Sequence, residues 1–358
     1  MTSDEGTKPN PQPLTRIGAH WRVAGVLGAA WGSLPDDVEG ADTIGTENLL
    51  AALTTGRSTA NKALALAGVT ATATMAVLRD HHDGAAVWTS TDDVEHAVGS
   101  VELLGSDGDR RRRLSGAAAR AFTHARDLAR REGADEYSQE HLLRGVLADR
   151  GNRATDLLTT CGATVDDVIR RLDERDTGPA DDGLHHHLWP TRDTLLGRCS
   201  PDADSLWRRL LLRLARGANL AEAPLSWTRI DAARLARSAG GAAGTEHLLL
   251  AVLATYEVAQ RYPHLALAGP GRPASSGAPT APADRFAGGA RLHALGADYL
   301  MVRRGVEQYG HELGTDDRDV DTYADALLPG DGTGPLTDAL LRGENRARRL
   351  LLTLGLSV

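Results

Sequence analysis

Apolar residues along this chain recur at helical spacing, and Val and Ile never form the alternating runs of a half-buried strand. The clearest case is Leu142, Leu143, Val146 and Leu147, adjacent pairs one turn apart that fall on one helical face. They belong to a segment that occurs three times: Thr43-Ile44-Gly45-Thr46-Glu47-Asn48-Leu49-Leu50-Ala51-Ala52-Leu53, then Tyr137-Ser138-Gln139-Glu140-His141-Leu142-Leu143-Arg144-Gly145-Val146-Leu147, then Gly244-Thr245-Glu246-His247-Leu248-Leu249-Leu250-Ala251-Val252-Leu253. Each copy has a small polar residue, a Glu, and paired leucines. The Ser or Thr ahead of the apolar run can accept the unbonded N–H groups of a first helical turn, and the Glu suits the positive end of the helix dipole. The pattern predicts a short buried helix starting at each copy.

The flanks repeat too. Upstream lies an amphipathic helix opened at Leu14-Thr15, Leu114-Ser115 and Leu225-Ser226. Downstream of the first two copies a second helix ends in Ala67-Gly68-Val69-Thr70 and Cys161-Gly162-Ala163-Thr164, where Gly stops one helix and Thr starts the next. The stretch from Leu340 to Ser357 repeats this downstream part, as the tail of a degenerate fourth copy with Gly334 near the Glu position. The expected organisation is all-α: a polar, disordered N-terminus (1–13), a double repeat (14–175), a linker (176–202) rich in Asp, Gly, Pro and His, and a second, divergent double repeat (203–358). An insertion rich in Pro, Gly and Ala near 266–283 interrupts that second repeat.

Composition narrows the function classes. At 358 residues the chain suits two domains. Lys occurs only at Lys8 and Lys62, neither preceded by Gly, so no phosphate-binding Gly-Lys loop exists. A net charge of −8 argues against a nucleic-acid binder, despite the local run Arg110 to Arg113, which reads as a solvated linker edge. Cys161 and Cys199 cannot form a disulfide framework, no stretch approaches a membrane span, and Met1 to Pro13 has no signal-peptide core, so the cytoplasm is the expected compartment.

The three Glu segments and their flanks resemble the Clp N-terminal domain, the double helical repeat at the front of Clp unfoldases, and most closely its ClpC type. There each half carries a Gly-Thr-Glu-His-Leu-Leu-Leu segment and a later Leu-Gly-Val-Ser. Gly244 to Leu250 matches the first segment completely; copy one has Asn48 for His, and copy two has Ser138-Gln139 for Gly-Thr. With the ATPase modules missing, the chain is similar to the stand-alone Clp-N proteins of actinobacteria. The resemblance implies recognition of phosphorylated arginine, with Glu47 and Glu140 taking the guanidinium beside Thr46 and Gln139. Thr15 and Ser115 are then the phosphate contacts, and Glu246, Thr245 and Ser226 a third site. A helix N-terminus attracts phosphate and a carboxylate takes a guanidinium in two prongs, so the physics fits. In every copy, however, the Glu can equally serve only to stabilise its helix end.

Neither a cofactor, a metal nor catalytic residues are expected. His185-His186-His187 has no Cys or His partner at regular spacing and reads as loose, incidental metal affinity. No nucleophile elbow, zinc helix or dinucleotide loop is present, so the chain reads as a non-enzyme. The expected partners are proteins or peptides destined for Clp degradation, or the Clp ATPase itself, bound as an adaptor or decoy. The alternative is a sponge for cyclic-peptide antibiotics that target ClpC, which calls for an exposed apolar groove with aromatics such as Trp21 or Phe122. A DNA-associated regulator using Arg110 to Arg113 comes last.

Overall fold

A computed structural model describes residues 18–34, 43–82, 87–105, 108–175, 182–198, 224–266, 285–325, 327 and 332–358. The fold is all-α. Strands among the described residues are two-residue segments that tie helix starts together.

The first unit runs β1 (Gly18–Ala19), α1 (Trp21–Trp31), β2 (Thr43–Ile44), α2 (Thr46–Leu53), α3 (Thr59–Leu66) and α4 (Ala71–His82). After β3 (Val98–Gly99) and the short α5 (Ser100–Leu104) the same order returns. It comprises β4 (Arg113–Leu114), α6 (Gly116–Arg131), β5 (Glu136–Tyr137), α7 (Gln139–Ala148), α8 (Arg153–Thr160) and α9 (Val165–Glu174). Strand pairing crosses between the copies. Gly18 and Ala19 pair in parallel with Glu136 and Tyr137, while Thr43 and Ile44 pair in parallel with Arg113 and Leu114. This reciprocity makes the two copies pseudo-twofold mates. It also sets their register: His20, after β1, is the counterpart of Ser115, after β4, and each caps the helix that follows. The helix start read at Leu14-Thr15 therefore lies several residues further on, and Thr15 itself is outside the described residues.

The second unit contains α10 (Trp189–Leu195), α11 (Pro224–Ser238), α12 (Thr245–Arg261), α13 (Ala287–Ala294), α14 (Tyr299–Tyr309), α15 (Val320–Asp325), α16 (Thr333–Arg342) and α17 (Arg346–Thr353). The glycines after α3, α8, α13 and α17 mark the repeat: Gly68, Gly162, Gly296 and Gly355 have φ of 91°, 77°, 87° and 80°. In this left-handed region a Cβ is strained, so glycine ends these helices at little cost. Gly334 stands second in α16, where Glu47, Glu140 and Glu246 stand in α2, α7 and α12.

Buried apolar side chains form two clusters, one from Val23 to Leu172 and one from Leu188 to Leu351. The leucine pairs of all three Glu segments are buried in them, each side chain contributing roughly 1.5–3 kcal/mol. No single helix among the described residues is long and apolar enough to cross a membrane.

The stretch whose composition reads as a linker contains ordered structure between 182 and 198. Arg192 and Asp182 form a buried ion pair of 3.0 Å, Thr191 Oγ1 donates to Asp231, and Leu195 is 1% exposed in the second cluster. Arg198 then reaches the first unit, where its Nε and Nη2 donate to the carbonyls of Ala65 and Leu66 at the end of α3. Polar side chains here partner one another, which composition alone cannot foretell. The N-terminal 1–13 stretch, Cys199 and all but the first residue of Ala266–Ala283 lie outside the described residues. Of the basic run, Arg112 pairs with Asp109 and stacks on Trp31, and Arg113 donates to the Ala97 carbonyl, so half of it is engaged by its own fold.

Candidate ligand-binding site

Each Glu segment begins with the same local device. The residue before the helix has its N–H bonded by the side chain three positions into the motif. Asn48 Oδ1 accepts from Gly45 N at 3.0 Å, His141 Nδ1 from Ser138 N at 2.9 Å, and His247 Nδ1 from Gly244 N at 3.1 Å. Asn and His are interchangeable here because both present an acceptor at the same reach, which explains the departure at Asn48.

Beyond that device the sites diverge. In the first, Asp92 is fully buried and accepts four hydrogen bonds, from Thr46 N, Thr46 Oγ1, Ser115 Oγ and Arg153 N. Arg153, the first residue of α8, directs Nη1 at Glu47 Oε1, 3.4 Å away. Thr46 Oγ1 in turn accepts from Ala154 N. The chain has thus placed its own carboxylate at two helix starts and its own guanidinium against Glu47. The contact is long and leaves Glu47 Oε2 buried without a partner. Burial, then the nearby Asp92 charge, push the Glu47 carboxyl up to about 7 against the opposing pull of Arg153. Ser115, expected to touch phosphate, is 0% exposed and spent on Asp92 and on capping Ala118 N.

The Glu246 site repeats this arrangement more tightly. Asp316 accepts from Thr245 N, Thr245 Oγ1 and Arg346 N at 2.9, 2.6 and 2.8 Å. Arg346 grips both Glu246 oxygens at 2.8 Å and also donates to the Gly310 and Gly314 carbonyls. Burial raises the Glu246 carboxyl, but the His247 ring and Arg346 outweigh it, and its pKa lies below the ordinary value. Ser226 is exposed and is the third residue of α11. In the fourth position Gly334 offers no carboxylate and abuts Ala287 instead of an arginine.

Among the described residues, the Glu140 site is the open one of the three. By the pseudo-twofold its counterpart of Arg153 is Thr59, the first residue of α3, too short to reach a carboxylate. Glu140 is half-buried; its N–H donates to Ser138 Oγ, and its carboxylate has no hydrogen-bond or ion-pair partner among the described residues. It lines a cavity of about 620 Å³ with Gln139, His20, Arg22, Arg57 and Lys62, at the start of α3 where Ser58 caps the helix. None of those three cations is paired with a carboxylate among the described residues. Gln139 extends over α1 and donates to the Arg22 carbonyl. The cavity therefore offers one acceptor for a cation and three cations plus a helix start for an anion.

Sequence reasoning missed His20, Arg22, Arg57, Lys62, Asp92, Arg153, Asp316 and Arg346. One signal was available in the motif itself. A Cβ on Gly45 would lie 2.2 Å from Glu47 Oε2, and one on Gly244 would lie 2.3 Å from Glu246 Oε2. The closed sites fold the Glu back over a glycine; Ser138 in the second copy forbids that.

Residues 113–195 match the family model of the Clp repeat (R) N-terminal domain. This segment is similar to a Clp repeat. The matched stretch runs from β4 through α10 and so contains Glu140, Gly162 and residues 182–195 of the 176–202 stretch. It gives the chain a Clp-related protein-interaction role in general terms. No curated protein matches the chain.

Proposed function

We propose that the chain is a cytoplasmic, non-enzymatic binding protein that takes phosphoarginine-marked proteins through the Glu140 cavity, as an adaptor or decoy for Clp-dependent degradation. One observation carries the reading. At two of the three Glu sites the chain supplies its own anion and guanidinium, Asp92 with Arg153 and Asp316 with Arg346, whereas among the described residues no guanidinium is paired with Glu140 and no carboxylate bonds the helix start there. The internal pairs stand in for an external ligand with an anionic group next to a guanidinium. A phosphoarginine side chain has that chemistry, and Glu140 with Arg22, Arg57 and Lys62 has the complementary one.

Titrating a phosphoarginine peptide and its plain arginine counterpart against wild type, Glu140→Ala and Glu47→Ala tests this. A hydrogen bond to a charged group contributes roughly 1.5–3 kcal/mol, so Glu140→Ala should weaken phosphoarginine binding by about one to two orders of magnitude. Glu47→Ala should leave that affinity in place. Equal, weak binding by all three proteins would remove the reading. A pull-down from native lysate with and without arginine phosphorylation then identifies the partner, and the purified chain should show neither ATPase nor peptidase turnover.

A second reading, sequestration of cyclic-peptide antibiotics, rests on Trp21. It is 72% exposed, with its ring beside His20 and under the Arg22 guanidinium at the rim of the cavity. Phe122 offers nothing to that reading, being fully buried edge-on against Tyr137. Trp21→Ala should weaken cyclic-peptide binding and spare phosphoarginine binding if the rim is what such a ligand uses.

A further inference from the structure

The geometry points to a transition-metal site at His185, His186 and His187, for a borderline divalent cation such as Zn2+. These residues have one ring nitrogen each within 4.8 Å of the others. Ring centroids lie 4.2, 5.0 and 4.0 Å apart for the pairs 185–186, 185–187 and 186–187. Three consecutive residues in an extended segment would point to opposite sides. Here the backbone turns into a short 3-10 helix at His186–Leu188, which brings the rings to one side.

The turn is held from both ends. Asp182, buried, accepts from Leu184 N, Tyr262 Oη and Arg192 Nη1, and its carbonyl accepts from Arg261 Nε. Trp189 Nε1 donates to the Leu184 carbonyl, and Leu188 is 2% exposed in the second core. The rings therefore sit on an anchored scaffold, which lowers the ordering that a metal would have to impose. Tetrahedral Zn–N bonds of about 2.0–2.1 Å place ligand nitrogens roughly 3.3 Å apart, so rotation of each ring by about an ångström closes the set. With three imidazoles and no carboxylate, the donor set selects Zn2+, Cu2+ or Ni2+ over Mg2+ and Ca2+.

A second group, Asp93, Glu95 and His96, could compete, although Asp93 is already paired with Arg120 at 2.7 Å. The test separates the two. Calorimetric titration of the full chain with ZnCl2 at pH 7.5 should give one equivalent bound with micromolar affinity and no heat with MgCl2. His186→Ala and a triple Ala replacement of residues 185–187 should weaken binding at least tenfold, while His96→Ala should not. CuCl2 should quench Trp189, whose ring centroid lies 6.3 Å from that of His186, and Trp189→Phe should remove most of that quenching. Circular dichroism of each variant establishes that it has folded. Zn2+ affinity that is unchanged in the folded triple variant, or that is lost instead in His96→Ala, would overturn the site, as would affinity no tighter than millimolar in wild type.

Discussion

The two halves of the first unit carry the same helix start, related by a pseudo-twofold, and differ in whether the chain fills it. At Glu47 the Asp92 loop and the first residue of α8 occupy the space, with Thr46, Ser115 and two backbone amides all committed. At Glu140 the same place in the repeat is held by Ser138, Gln139 and Thr59, and a cavity of about 620 Å³ remains. The difference teaches that a carboxylate at a helix N-terminus is not a binding site by virtue of its motif. It becomes one only where no internal cation or anion reaches it. The copy that departs furthest from Gly-Thr-Glu is the copy that stays open, and the copy that matches fully, Gly244 to Leu250, is the most tightly closed.

That contrast can be broken experimentally, and the largest effect should come from the tightest closed site. Glu246→Ala leaves Arg346 partly buried without its carboxylate, a change that typically costs about 3–5 kcal/mol. Chemical denaturation should show that loss, whereas a near-neutral Glu246→Ala would mean that the pair is not what closes the site. Next comes a transplant. Thr59→Arg places an arginine at the counterpart of Arg153 and should fill the Glu140 cavity from within. Phosphoarginine affinity should drop at least tenfold, about 1.4 kcal/mol, with stability kept or slightly raised. Retained binding in a folded Thr59→Arg protein would show that the two halves are not equivalent in the way their strand pairing implies.

The pH dependence of stability sharpens the same comparison. The folded Glu47 carboxyl, at about 7, lies above its unfolded value of 4.5, so between these values the folded state holds more of the proton. Stability from this group is therefore fully present below about pH 4.5 and is lost as pH rises through 7. Glu47→Gln should flatten that slope in urea melts, and an unchanged slope would assign it elsewhere. His264 works in the opposite direction: burial alone lowers its ring to about 4, so stability falls as pH drops from 6.5 towards 4. His264→Phe should remove that acid sensitivity. The smallest effect belongs to the open site. The Glu140 carboxylate has no partner to lose among the described residues, so Glu140→Ala should change folding stability by no more than about 0.5 kcal/mol while weakening phosphoarginine binding by about one to two orders of magnitude.

Much of the architecture is legible from residue spacing. The leucine pairs of Leu49-Leu50, Leu142-Leu143 and Leu248-Leu249 are all buried as their periodicity predicts, and Gly68 and Gly162 are in the left-handed conformation that a helix stop requires. These signals are local, because amphipathic period and glycine freedom are properties of a few consecutive residues. The start of α1 is not legible in the sequence because its cap is His20, a residue that does not advertise capping as Ser115 does. The order of 182–198 is hidden in its composition because Asp, His and Arg usually face water; here Asp182 and Arg192 face each other.

The sequence by itself determined the helices, their repeat and the three Glu positions, since each rests on contacts within about a turn. Which Glu is available was decided only by the tertiary structure. Asp92 lies 45 residues after Glu47 and Arg153 lies 106 after it; Asp316 and Arg346 lie 70 and 100 after Glu246. No local pattern ties such residues together. They meet because reciprocal strand pairing and the buried leucine faces bring the start of one copy's helix against the start of the other's. At Glu140 the same meeting delivers a threonine, and the carboxylate remains open to a ligand.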